Sequence, residues 1–303
     1  MSVRLRRLRV VVSGALCLAG GFTVSGAAAA AGPAPIRIVA AESTYGVIAQ
    51  AIGGSRVVVD SLVRNPNVDP HQFEATPDTA RKVARARIVL LNGLGYDGWM
   101  TRLLAASPAA GRQVVDAAAL DPGVVSADRN PHIFYDPRVV LRVATRVAEL
   151  LKADDPAQAG EYAANLRAFA GDLSRVDDAI ARLRRQHPGL RVAATEPVFG
   201  YMLRRLGWTS EGETFQFNVM NDTEPSPAEV IRFESALRQR RVALLIYNLQ
   251  VSDPLTDRMR AVAAASGVPT VGVDEFVPPN TGYVQWQLQT LRAVGRALDT
   301  AGR

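Results

Sequence analysis

Short, nearly continuous apolar runs alternate along this chain with longer stretches in which apolar residues return every third or fourth position. A continuous run bounded by polar or turn-forming residues reads as a strand covered on both faces, and the three-four spacing reads as one face of a helix. In the first half the predicted strands are IRIVAA (36–41), RVVVDSLV (56–63), RIVLLN (87–92) and RQVVDA (112–117). In the second half they are RVAAT (191–195), ETFQF (213–217), RVALLIY (241–247) and VPTVGV (268–273). Helices between them have plain start signals. Thr76-Pro77, Ser226-Pro227 and Asp253-Pro254 each set a capping side chain ahead of a proline at the first helical position. The alternation predicts an α/β chain of two lobes, each a roughly four-stranded parallel sheet flanked by helices.

Between the halves, residues 155–189 carry Tyr162, Leu166, Phe169, Leu173, Val176, Ile180 and Leu183 at steps of three and four, the apolar face of one helix. Pro156 opens it and Pro188-Gly189 closes it. A helix of roughly thirty residues spans about 45 Å, too long for a local crossover, and predicts a rigid strut. The expected organisation is a signal segment at 1–31, an N-terminal α/β lobe at 32–153, a connecting helix at 154–188 and a C-terminal α/β lobe at 189–303.

Charge changes the picture only at the front. The chain has 35 basic and 29 acidic residues, a net charge of +6. Arg4, Arg6, Arg7 and Arg9 precede a short apolar run and an Ala-rich stretch, which together read as a secretory signal cleaved near Ala28 to Gly32. Without those four arginines, 31 basic residues face 29 acidic ones, and the charge argument for a nucleic-acid partner disappears. The one cysteine, Cys17, lies inside the signal, after Leu16, a poor residue ahead of a lipoprotein cleavage site. The expectation is therefore a monomeric periplasmic or extracytoplasmic protein without lipid anchor, disulfides or thiolate ligands.

Open α/β sheets bind ligands beyond the carboxyl ends of their strands. Just past the second and fourth strands come His71, in NVDPHQF, and His132, in RNPHIFYDP; past strands of the second half come Glu196 and the pair Asp274-Glu275. Both histidines follow a proline and have an aspartate nearby. Two neutral imidazoles and two carboxylates carry a charge of −2, which suits one divalent cation, and nitrogen and oxygen donors without sulfur suit manganese, zinc or ferrous iron. Asp69 and Asp136 are expected acceptors for the second ring nitrogens of His71 and His132. The third histidine, His187, sits at a helix C-terminus and needs no metal to explain it. Glu196 has a rival role as a helix N-terminal carboxylate, and either Asp274 or Glu275 could be the ligand.

The stretches DPHQFEATPDTARKVARARIVLLNGLGYDGWMTRLL (69–104), NPHIFYDPR (130–138), EPVFGYMLRRLGW (196–208), EPSPAEV (224–230) and DEFVPPNTGYVQW (274–286) run in order across nearly all of the mature chain. As a set they resemble the zinc- and manganese-binding substrate-binding proteins of ABC importers, whose two lobes are joined by one long helix. That resemblance implies capture of one Zn²⁺ or Mn²⁺ for delivery to a membrane permease and its ATPase, with no catalysis. It carries the ligand positions onto His71, His132, Glu196 and Glu275, with Asp274 as the alternate to Glu275. Many zinc binders of this family have a histidine-rich loop and a third histidine; here no histidine lies between 71 and 132, and a glutamate stands at the third position. Both departures point toward manganese, although the Irving–Williams order still lets zinc bind such a site tightly. Two other classes compete: a binder of metal chelates such as siderophores, with Tyr96, Trp99 and Trp286 lining a cleft, and a zinc hydrolase with an open fourth position. No HExxH motif supports the hydrolase.

Overall fold

The computed structural model describes residues 34–65, 70, 73–125, 127 and 129–301, so the expected signal segment and Cys17 lie outside the described residues. The chain runs β1 (Ile36–Glu42), α1 (Ser43–Gly53), β2 (Val57–Val63), α2 (Pro77–Arg85), β3 (Ile88–Leu91), α3 (Gly98–Ala106), β4 (Gln113–Asp116), α4 (Ala117–Leu120) and α5 (Pro137–Asp154). It continues through α6 (Ala159–Gln186), β5 (Arg191–Ala194), α7 (Gly200–Leu206), β6 (Thr209–Glu211), α8 (Glu213–Met220) and α9 (Pro227–Arg238). β7 (Leu245–Asn248), α10 (Pro254–Ala265), β8 (Thr270–Val273) and α11 (Tyr283–Ala301) complete it. The strands form two four-stranded sheets in the orders β2-β1-β3-β4 and β6-β5-β7-β8. All their pairings are parallel. The second sheet repeats the first, with β5 in the place of β1 and β7 in the place of β3.

Burial on both faces explains the unbroken apolar runs. Ile38, Ala40, Ile88 and Leu90 enter one core cluster, which also takes Val192, Ala194 and Ile246 from the second sheet and Leu244 just ahead of β7. Their neighbours Val39, Ala41, Val89 and Leu91 point the other way, onto Trp99 and Met100, while Ala193 and Leu245 meet Phe233 and Leu237. Thr76, Ser226 and Asp253 cap α2, α9 and α10 with complete capping boxes, each worth about 1 kcal/mol.

The predicted strut is present with a shorter start. Pro156–Gln158 is a single 3₁₀ turn and α6 has 28 residues, about 42 Å. Tyr162, Phe169, Leu173, Val176, Ile180 and Leu183 are buried and Leu166 half-buried. They pack α6 against α1 and α5 at one end and against α7 and α11 at the other. Asn165 Nδ2 donates to Ile52 O at 3.0 Å, tying the start of the strut to the end of α1.

One predicted strand is a helix. ETFQF lies in α8, and the edge strand of the second sheet is Thr209–Glu211 instead. Gly212, at φ 80°, turns the chain out of β6 in a left-handed conformation. Phe215 then stacks on Phe233 with centroids 4.3 Å apart, and Val219, one turn later, packs against the same cluster. Gln216 closes the junction by donating to Ser210 Oγ and Glu211 O, both at 2.9 Å. Among the described residues no helix is long and apolar enough to cross a membrane.

Candidate metal centre

Most buried polar side chains stand at the carboxyl ends of the two sheets or on segments leaving them. They include Glu42, Ser43, Thr44, Asn92, Asp97, Asn130, His132, Glu196, Asn248 and Glu275. The two ends are joined directly. Ser43 Oγ donates to Val277 O at 2.7 Å, and Val277 N donates to Thr44 Oγ1 at 3.1 Å, so the start of α1 holds the segment that follows β8.

His132 is fully buried. Its Nδ1 lies 2.8 Å from Asn130 Oδ1, which also accepts the His132 backbone N–H at 3.0 Å. Asn130 is oriented in turn, because its amide donates to Pro197 O at 2.7 Å. Facing an acceptor, Nδ1 carries a proton; in the neutral ring Nε2 is then the unprotonated nitrogen, the one able to ligate. Nε2 points at Glu275, 3.6 Å from Oε2. The expected acceptor, Asp136, does something else. Its carboxylate accepts the backbone N–H of Arg138 at 3.0 Å as the cap of α5 and takes the Arg138 guanidinium at 2.6 Å. It serves the start of α5 and not the ring. Asp136→Ala is therefore expected to lower unfolding stability by about 1 kcal/mol, the worth of a helix cap, and to leave metal affinity unchanged in a titration.

Glu275 and Glu196 are both buried, 1% and 3% exposed, and one amide serves both. Asn248 Nδ2 donates to Glu196 Oε2 at 2.8 Å and also to Glu275 Oε1. Tyr96 Oη donates to Glu275 Oε2 at 3.1 Å, and burial followed by the Glu275 charge holds its phenol well above the usual range. Asp274 is turned elsewhere. Its carboxylate accepts from Gln250 Nε2 at 3.2 Å, and burial, partly opposed by that amide, raises its pKa. Gln250 Oε1 takes the Glu275 backbone N–H at 2.8 Å, so one side chain sets both neighbours in opposite directions. Glu196 precedes a 3₁₀ turn (Pro197–Phe199) and makes no side-chain cap hydrogen bond there. A cleft of about 790 Å³ bordered by Glu196, Gln250 and Glu275 opens beside them.

His132, Glu196 and Glu275 are thus linked through contacts and a shared amide, while Asp274 stands apart. His71 and Asp69 lie outside the described residues. Among the described residues no three histidine, cysteine or carboxylate side chains gather at metal-binding range. The sequence reading missed Asn130, Asn248 and Gln250, and gave Tyr96 only a place in a chelate cleft. Asn92 and Asn248 stand at the ends of β3 and β7, equivalent strands of the two repeated sheets, and that repetition was the available signal. The aromatic residues that kept a chelate cleft in view are core residues: Tyr96, Trp99 and Trp286 are at most 3% exposed.

Comparison with known proteins finds similarity along most of the chain. The family model for zinc-uptake complex component A, periplasmic, matches residues 38–297. The metal ABC transporter substrate-binding lipoprotein ScbA of Streptococcus cristatus is 23% identical over 78% of this chain and 79% of its own length. The manganese ABC transporter substrate-binding lipoprotein PsaA of Streptococcus pneumoniae is 23% identical over 77% of each chain. Among solved structures, the substrate-binding protein FpvC of Pseudomonas aeruginosa in complex with Mn²⁺ superposes with a TM-score of 0.72 at 25% identity, covering 88% of this chain and 100% of that one. The lipoprotein names of the two relatives run against the expectation that this chain has no lipid anchor.

Proposed function

We propose that this chain captures one divalent transition-metal ion, Mn²⁺ or Zn²⁺, between its two sheets, and the premise is kinship: the chain belongs to the periplasmic zinc-uptake component A family. As a member of that family it is the substrate-binding protein of a metal ABC importer, acts outside the cytoplasmic membrane and is not an enzyme. It hands its cargo to the membrane permease that its ATPase drives. In this reading the ion lies between an N-terminal lobe at 32–153 and a C-terminal lobe at 189–303, with 154–188 connecting them. Its donors are His71, His132, Glu196 and Glu275.

The observation that carries this reading is the pair of buried carboxylates sharing the Asn248 amide beside His132 Nε2. Two buried carboxylates beside an imidazole nitrogen make a nitrogen-and-oxygen donor set whose negative charge a divalent cation would offset. Asp274 fits less well, since Gln250 holds its carboxylate. Carboxylate donors favour Mn²⁺ more than an all-histidine set would.

The test is metal analysis of the chelator-stripped protein after exposure to equal amounts of Mn²⁺ and Zn²⁺, with His71→Ala and Glu196→Ala alongside. One equivalent of metal is expected, lost in both variants; its absence from the unmutated protein would sink the capture reading. Ligation competes with protons for the imidazoles, so affinity is also expected to be lower at about pH 5.5 than at about pH 7.5. Equal affinity at the two would count against histidine donors.

A further inference from the structure

Behind the proposed donors lies a buried acid that they do not use. Glu42 ends β1 and is 1% exposed, and among the described residues neither of its carboxyl oxygens has a hydrogen-bond donor to bind apart from its own backbone N–H. What faces it within hydrogen-bonding reach is another carboxyl group, Asp97. Asp97 is itself 1% exposed, and its two oxygens are already committed: Oδ2 accepts the N–H of Asn92 at 2.5 Å and Oδ1 that of Gly93 at 3.0 Å. Two backbone donors favour the ionised form of Asp97. Two ionised carboxylates cannot share such a site, so the pair holds one proton, and it belongs on the partner with fewer amide donors, Glu42.

What Asp97 clamps is the turn out of β3, which passes through three successive left-handed residues: Gly93 at φ 81°, Leu94 at 58° and Gly95 at 86°. A leucine in that region is strained and must be held there. The clamped turn has two outputs. Tyr96 Oη donates to Glu275 Oε2 at 3.1 Å and to Glu275 O at 3.2 Å. Asn92 Nδ2 donates to Pro131 O at 2.8 Å, directly ahead of His132, while Asn92 Oδ1 accepts from Tyr45 Oη at 2.6 Å.

We propose that Glu42 is a positioning residue: in its acid form it donates a hydrogen bond to Asp97 and so fixes the turn that aims Tyr96 at Glu275 and Asn92 at the segment carrying His132. The inference rests on the proposed metal site, since Glu275 and His132 are its donors. The electrostatics agree. Burial first, then the negative charges of Asp97 and Glu275, hold the Glu42 carboxyl well above the usual range, and its own backbone N–H offsets only part of that. Burial raises Asp97 only to about 6, because the Asn92 and Gly93 amides oppose it. The other ionisable groups coupled to Glu42, the phenols of Tyr45 and Tyr96, are likewise raised and stay neutral.

The test compares the full-length unmutated protein with Glu42→Gln and Glu42→Ala, using infrared spectroscopy and titration with Mn²⁺ and Zn²⁺. The difference spectrum between unmutated protein and E42Q at neutral pH is expected to contain the carbonyl stretch of one protonated carboxylic acid. The conservative variant keeps a donor toward Asp97 and is expected to bind metal as the unmutated protein does. E42A is expected to weaken binding about ten- to a hundredfold, the usual cost of losing an outer partner of a metal site, with the fold retained by circular dichroism. Absence of the acid band overturns the inference, as does unmutated affinity in E42A; should E42A not fold, the band and the rescue by E42Q still decide. If the unmutated protein binds no metal, the site reading fails, while the infrared comparison still decides whether Glu42 is the acid.

Discussion

Replacing His132 with alanine is expected to abolish stoichiometric binding of Mn²⁺ and Zn²⁺. The ring is fully buried, its Nδ1 is fixed on Asn130 and its Nε2 lies 3.6 Å from the Glu275 carboxylate. No described histidine stands near enough to replace it, and a water in the space left would contribute a weaker donor at an entropic cost. Loss of an outer partner of a metal site costs about 10- to 100-fold in affinity, and loss of a donor should exceed that. Calorimetric titration of the stripped variant is the check. One equivalent bound with unmutated affinity would remove His132 from the site.

Asn248→Ala should act on the metal-free protein more than on the loaded one. In the metal-free state the Asn248 amide is shared by the carboxylates of Glu196 and Glu275 at the end of β7. Truncation leaves both buried with less compensation, at an expected cost of about 2–4 kcal/mol. For a chain of this size that is a fall in melting temperature on the order of 3–7 °C. A bound divalent cation supplies the compensation that the amide gave, so saturating metal should recover most of the loss. Melting curves with and without Mn²⁺ or Zn²⁺ separate the cases. An equal deficit in both would mean that the carboxylates do not meet the ion.

The strands were readable because central strands are covered on both sides, so Ile88 through Leu91 are apolar whichever way they point. The capped helices were readable because Thr76, Ser226 and Asp253 act locally. ETFQF was not, since Phe215 and Phe217 alternate as in a strand while Phe215 and Val219 are spaced as in a helix. Over five residues the two periods cannot be told apart, and Gly212 decided between them. The proposed donors stood out as histidines and acids just past strand ends. Their partners did not, because a charge was expected beside His132 and a neutral amide two residues upstream does that work. Asn248 touches Glu196 across 52 positions of sequence and Glu275 across 27, a convergence that only the paired strands create.

The strut has a consequence for how far this protein can be divided. Its buried face belongs to one cluster that runs from Ile38 to Leu298 and takes the inner residues of both sheets. Cut the chain on either side of α6 and one half keeps the helix with part of its apolar flank bare, while the other loses its cover. The halves are alike in topology, yet neither is a module that could be lifted out, swapped or made alone. In engineering terms this is a single cassette, and its specificity must be changed in place.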